Sequence, residues 1–194
     1  MIEHHIYRPQ DFIKLPWKNG LGYTTELLKE SISEHEFAWR LSIAQVTRDG
    51  PFSNFDGYDR TLVLLKGEGM RLEHGAQPAQ VLGKPLDVAR FSGKGPTTAQ
   101  LHSGPIEDFN IMTRCGICSA KTHANADSSS FEGSTAASWL LIYASADSLS
   151  VSLGENEPLP VSDGHLLQVR ITQSMSFKID GPGYIAVEIS CLQP

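Results

Sequence analysis

The chain has 194 residues, 40% hydrophobic and 20% charged, which is globular composition with enough length to bury a core of its own. Its 22 acidic and 16 basic residues leave a formal net charge of −6, the wrong sign for a protein that wraps phosphate backbones, so nucleic acid is not an expected partner. No apolar run reaches the roughly 20 residues of a membrane helix, and no basic-then-apolar leader opens the sequence. A soluble, cytoplasmic protein without a membrane partner is the expectation.

In chain order, the first candidates for chemistry are His4 and His5. Neighbours on a strand point to opposite faces, so these two do not readily chelate one ion and are read as exposed terminal residues. Leu15 to Glu26 gathers Trp17, Lys18, Asn19, Thr25 and Glu26 around Gly20 and Gly22. Such a loop offers an apolar wall and hydrogen-bonding groups to a small polar ligand; a glycine turn with Trp17 as a core plug accounts for the same residues. Thr25 to Glu34 reads equally as a short helix or an edge strand.

Phe37 to Val46 alternates with period two, placing Arg40, Ser42 and Ala44 on one face of a strand. Thr47 to Tyr58 is dense in Gly, Pro, Asp and Asn and reads as a loop, after which Arg60 opens the aliphatic strand Thr61 to Leu65. Short runs then recur to Thr113, broken by glycine or proline every 8–12 residues or so, which is an all-β rhythm. In Asp108 to Arg114, one face carries Asp108, Asn110, Met112 and Arg114, and the other Phe109, Ile111 and Thr113. The polar face is expected to line a lumen.

Ser119 to Ser138 is small and polar and is expected to be a mobile connection, and strand signals resume from Trp139. This gives an N-terminal half over 1–118, a connection over 119–138 and a C-terminal β half over 139–194. Such a chain hides its strand edges in a barrel or packed sandwich, and a double-stranded β-helix jelly roll, in two halves, is the expected fold. Edge strands of such barrels often pair, so a homodimer is among the expected partners.

Other motifs are weak. Cys115-Gly116-Ile117-Cys118 lacks the second pair that a four-thiolate zinc site needs, and with Cys191 these are read as free thiols. His74 and His165 sit in turn-like contexts and are read as solvated. There is no G-x-S-x-G, and Gly67-Glu68-Gly69 is too short to cradle a phosphate.

Five blocks in order carry a resemblance: Pro16-Trp17-Lys18-Asn19-Gly20 with Thr24-Thr25-Glu26; Trp39 to Ala44; Asp49-Gly50-Pro51-Phe52-Ser53; Gly57-Tyr58-Asp59-Arg60; and Asp108 to Arg114. Together they resemble the HutD/Ves family. The chain departs from the family's pattern at Gly20-Leu21-Gly22, where a run of glycines is common, and at Cys115, where a second arginine is common. The resemblance implies a cupin-like (RmlC-like) β-barrel, often two cupin halves in one chain, and a bacterial association with histidine utilisation. It also implies binding or regulation rather than a settled activity, with formylglutamate or urocanate as candidate ligands.

Metal-dependent cupins use closely spaced histidines, and Asn54 to Glu73 contains none, so neither a metal nor another cofactor is expected. Arg40 or Arg60 would instead fork to a carboxylate, with Ser53 and Asn110 as hydrogen-bonding partners. The expected ligand contacts are therefore Trp17, Lys18, Asn19, Thr25, Glu26, Arg40, Ser42, Ser53, Phe55, Arg60 and Asn110. Pairing of either arginine with Asp49, Asp59 or Asp108 is the structural alternative. A non-catalytic carboxylate-binding protein that modulates histidine utilisation is expected, ahead of a metal-independent enzyme acting on a small carboxylate and a protein-interaction module.

Overall fold

The computed structural model describes residues 2–17, 22–127 and 129–192. In chain order the strands are β1 (His4–Tyr7), β2 (Ile13–Pro16), β3 (Tyr23–Ser31), β4 (Phe37–Val46), β5 (Gly50–Pro51), β6 (Tyr58–Lys66), β7 (Met70–His74), β8 (Gln77–Leu82), β9 (Val88–Ser92) and β10 (Thr98–Leu101). They continue with β11 (Ile106–Arg114), β12 (Cys118–Asn125), β13 (Phe131–Thr135), β14 (Trp139–Ala144), β15 (Leu149–Leu153), β16 (Leu159–Val161), β17 (Leu166–Arg170), β18 (Met175–Asp180) and β19 (Tyr184–Cys191). A 3-10 turn, Pro9–Asp11, lies between β1 and β2.

The chain divides into two compact units, residues 12–118 and residues 1–11 with 119–194. In the first, one sheet runs β2-β3-β4-β11-β6-β9 and the other β5-β10-β7-β8. In the second, the sheets run β1-β17-β14-β19-β12 and β13-β18-β15-β16. Counted from β4 or from β12, eight successive strands alternate between two sheets in the same pattern, first-eighth-third-sixth and second-seventh-fourth-fifth. That is the jelly-roll order, so each unit is a cupin-like double sheet, although the sheets stay distinct and do not close into the expected barrel.

Alternation explains the packing. In the first unit Leu62, Leu64, Val46 and Ile106 project from one sheet onto Met70, Leu72, Leu82 and Ala99 of the other. In the second unit Leu140, Ile142 and Val169 meet Val151, Val161 and Ile179 in the same way. Truncating one of these fully buried leucines to alanine is worth about 2–5 kcal/mol.

Several expectations change or are narrowed. Of the two readings of Thr25 to Glu34 the strand is the one found, as Tyr23–Ser31, though not at an edge, because pairing with β4 on one side and β2 on the other outweighs its helix-forming residues. The segment 119–138 carries β12 and β13, paired into different sheets, where a mobile polar connection was expected. Residues 1–11 belong with the C-terminal unit, since β1 pairs with β17. Cys118 and Cys191, read as free thiols, are each disulfide-bonded, and Cys115 is a free thiol.

Candidate functional site

A cavity of about 520 Å³ opens within the unit of residues 12–118. Its floor is the inner face of β4, β11 and β6. Ser42 stands opposite Asn110, Arg40 opposite Met112, and Ala44 opposite Asp108, while Arg60 flanks Met112 from the other side. Side chains directly across a ladder share a face, so period-two alternation alone gathers Arg40, Ser42, Arg60, Asp108, Asn110 and Met112. The walls are Trp17, Phe52 and Phe55.

Arg60 is only 8% exposed, and its guanidinium lies 5.0 Å from the Phe91 ring centre and 5.5 Å from those of Phe52 and Phe55. Its Nη1 donates to the Ser53 carbonyl oxygen at 3.2 Å and its Nη2 to Asn110 Oδ1 at 3.1 Å. The Asn110 amide nitrogen in turn donates to Asp108 Oδ1. Burial pulls Arg60 down to about 10, opposed by attraction to Asp108 and aided by repulsion from Arg40, which leaves it a cation at neutral pH. Burial pushes the Asp108 carboxyl up to about 7, against the opposing pull of Arg60 and the Asn110 hydrogen bond.

Arg40 is held from behind. Its Nε donates to Glu26 Oε2 at 2.8 Å, and Lys29 Nζ lies 3.2 Å from Glu26 Oε1. A β-bulge between Glu26 and Leu28 inserts one residue into β3, so Glu26 and Lys29 fall on the same face beside Arg40 when regular alternation would separate them. Trp17 is fixed by its Nε1–H donating to Thr24 Oγ1 at 2.8 Å and its backbone N–H donating to the Gly22 oxygen at 2.9 Å. Behind Phe91, His74 is buried, stacked at 4.6 Å. Gln80 lies 3.1 Å from His74 Nε2 and is itself anchored to both backbone groups of Arg90. Its amide nitrogen therefore donates, which makes Nε2 an acceptor and leaves Nδ1–H for Thr97 Oγ1 at 3.1 Å. Burial, with repulsion from Arg60, pushes the His74 pKa down, so the histidine read as solvated is a buried neutral one.

Of the sequence-derived contacts, Trp17, Arg40, Ser42, Ser53, Phe55, Arg60 and Asn110 line the cavity, Ser53 serving Arg60 through its carbonyl rather than its hydroxyl. Glu26 acts through Arg40. Thr25 pairs with Ile43 on the opposite face of the sheet, and Thr24 takes the inward place. Lys18 and Asn19 lie outside the described residues. Asp108, Met112 and Phe52 complete the site; the signal for Asp108 was its position two residues before Asn110 on the same strand face. Asp49, weighed as an arginine partner, instead accepts from the Leu101 backbone N–H at 2.8 Å. No group of three or more His, Cys, Asp or Glu is placed to hold a metal among the described residues.

The comparisons agree with this fold. The chain is 36% identical over 162 residues to the 21.2 kDa protein in the hutC 3′ region of Pseudomonas putida, covering 81% of this chain and 82% of that protein. It is 40% identical over 115 residues to protein Ves of Escherichia fergusonii, covering 57% and 60%. The solved structure of HutD from Pseudomonas fluorescens SBW25 (formate condition) superposes with a TM-score of 0.86 at 27% identity, over 98% of this chain and 100% of that one. The HutD family model matches residues 9–187, and this chain belongs to the HutD family, which is associated with the histidine utilisation locus.

Proposed function

We propose that the cavity between Arg40 and Arg60 binds a small carboxylate without turning it over, and that the protein modulates histidine utilisation through this binding. The observation that carries the reading is the Arg60 guanidinium: nearly buried, cationic, and on a residue that lines the cavity. A buried cation is costly unless an opposite charge meets it, and an entering carboxylate supplies that charge. Arg40, whose Nε is held by Glu26, lines the same cavity and adds a second positive charge. Apolar walls at Trp17, Phe52, Phe55 and Met112 suit a short carbon skeleton. Formylglutamate and urocanate are the candidates that the family context suggests, and the formate named for the Pseudomonas fluorescens HutD structure is the smallest member of this chemical class.

A second reading, metal-independent catalysis on a small carboxylate, draws support from Asp108, whose pKa of about 7 suits acid–base work. Incubating candidate acids with the purified protein and following substrate loss separates the two. The binding reading is tested by thermal unfolding against formylglutamate, urocanate, formate, glutamate, histidine and an unrelated dicarboxylate. A ligand at about 100 times its dissociation constant adds about 2.7 kcal/mol, a rise of roughly 5–10 °C for this size. A selective rise that vanishes in a folded Arg60→Met variant supports the reading; no rise with any acid rejects it.

A further inference from the structure

A second cavity of about 230 Å³ adjoins the first in the same unit, lined by Trp17 and residues 46–52. Trp17, Val46, Pro51 and Phe52 border both cavities, so the surface between them is almost wholly apolar. What these residues separate follows from the order of side chains along β4.

Four inward residues of β4 line the main cavity in sequence: Arg40, Ser42, Ala44 and Val46. Arg40 stands opposite Met112, which Arg60 flanks from the other side, so the first row is the cationic one. Ser42 and Asn110 form the second row, and Ala44 with Thr24 across from it on β3 the third. The Trp17 Nε1–H donates to Thr24 Oγ1 at 2.8 Å, which pins the indole at that third row, four residues along β4 from Arg40. At the usual strand rise this is about 13 Å between α-carbons. Val46 is the next inward residue, and from there the chain passes into the lining of the second cavity.

Phe52 also borders both cavities, but its ring centre lies 5.5 Å from the Arg60 guanidinium, so it flanks the cationic end. The indole is the aromatic border at the far end. It is held by Thr24, by its own backbone bond to the Gly22 oxygen, and by lying against Gly22 so closely that a Cβ there would be 3.1 Å from the ring. A ring held in this way is a stop rather than a flexible wall.

We propose that Trp17 sets the length of ligand that the site accepts: a carboxylate held at Arg40 and Arg60 runs its skeleton along β4 and ends against the indole, which closes off the second cavity. The inference rests on the carboxylate reading and adds a specificity-determining residue to it. Removing the indole joins the two cavities, so a longer apolar tail gains room without any change at the cationic end.

The test titrates the full chain by calorimetry with the straight-chain acids from acetate to decanoate. Each methylene buried against an apolar wall tightens binding by up to about fourfold, and the expected wild-type series climbs, then breaks at the homologue that meets the indole. In Trp17→Ala the break moves to longer acids, and the first homologue that wild type excludes binds about tenfold or more tightly than to wild type. Phe55→Ala, which alters a wall of the main cavity that the second does not share, weakens the whole series and leaves the break in place. A purely structural role for Trp17 would likewise lower every affinity without moving the break. A wild-type series with no break overturns the inference and leaves the carboxylate reading standing, as does a break that stays put in Trp17→Ala. A series unchanged in Arg60→Met, or no binding by any acid, overturns both. Should Trp17→Ala not fold, Trp17→Leu takes its place with the same expected shift in the break, and a break that stays put there overturns the inference.

Discussion

Arg60 and Asp108 meet only through a third residue: Asn110 accepts from the guanidinium with its oxygen and donates to the carboxylate with its nitrogen. This relay holds the two charges apart, each keeping one buried polar atom without a hydrogen-bond partner among the described residues. A direct bidentate pair would consume both partners and leave nothing for a ligand to bind.

Replacing the relay tests that arrangement. Asn110→Leu keeps the number and branching of side-chain heavy atoms but leaves Arg60 Nη2 and Asp108 Oδ1 without the partner they have in Asn110, in a site where both residues are almost fully buried. The expected loss is about 2–5 kcal/mol by urea denaturation with an unchanged slope. A loss below about 1 kcal/mol would show that water serves these atoms as well as Asn110 does.

The raised carboxyl makes a prediction about pH. Asp108 titrates at about 7 in the folded protein against 3.8 for an ordinary aspartate, so the folded state retains a proton that the unfolded chain releases. Its contribution to stability is fully present below about pH 4 and is lost as pH rises to about 7, by up to roughly 4 kcal/mol. His74 works in the opposite sense. Its folded pKa lies below 6.5, so its contribution is present above that pH and is lost as pH falls through the folded value. The wild-type profile alone is therefore blunted, and the paired difference is the informative measurement. Between pH 5 and pH 7.5, wild type should lose stability relative to Asp108→Asn; a constant difference would mean that the carboxyl titrates as an exposed one does.

Much of this site follows from period-two alternation. Arg40 and Ser42, and Asn110 with Asp108 and Met112, share a face by counting alone, and both strands present that face inward. Thr25 was misassigned because alternation cannot say which phase of a strand faces in until its neighbour is known, and Thr24 proved to be the inward residue. The bulge that brings Glu26 and Lys29 together beside Arg40 left no mark in the sequence, since no glycine stands at that point. His74 was read from the glycine that follows it, whereas its environment is set by Phe91, Thr97 and Gln80, which are brought to it by strand pairing and tertiary packing. The jelly-roll order could be expected as a class, but which strands pair depends on contacts far apart along the chain.

Gly22 sets the position of the Trp17 wall. A Cβ there would lie 2.8 Å from the Gln45 carbonyl oxygen and 3.1 Å from the indole ring. Gly22→Ala should push the ring off the wall and weaken its bond to Thr24, seen as a shift in tryptophan fluorescence and a several-fold loss of carboxylate affinity, with only a small change in stability. An unchanged emission spectrum would show that the Gln45 backbone yields instead.

Gly93 holds the loop over Arg60 from the opposite side. Its carbonyl oxygen accepts from the Phe55 N–H at 3.0 Å, and its own N–H donates to the Tyr58 oxygen at 2.7 Å, so the turn that carries Ser53 and Phe55 is stitched to the end of β9. A Cβ at Gly93 would collide with the Phe55 carbonyl oxygen and come within 2.8 Å of the Tyr58 oxygen, both backbone atoms without the freedom of a side-chain tip. Gly93→Ala must therefore break one of these bonds or displace the loop. Displacement removes the Ser53 carbonyl from Arg60 Nη1 and the Phe55 ring from the guanidinium, so a buried cation loses an acceptor and part of its aromatic surround. The expected outcome is a loss of about 1–3 kcal/mol in stability together with weakened carboxylate binding. Gly50→Ala is the control: it sits in the same unit, on a strand beside the cavity mouth, and a Cβ there meets nothing within 4 Å. If both variants retain wild-type affinity, the loop does not shape the site; if only Gly93→Ala loses it, Arg60 is positioned from the loop as well as from the sheet.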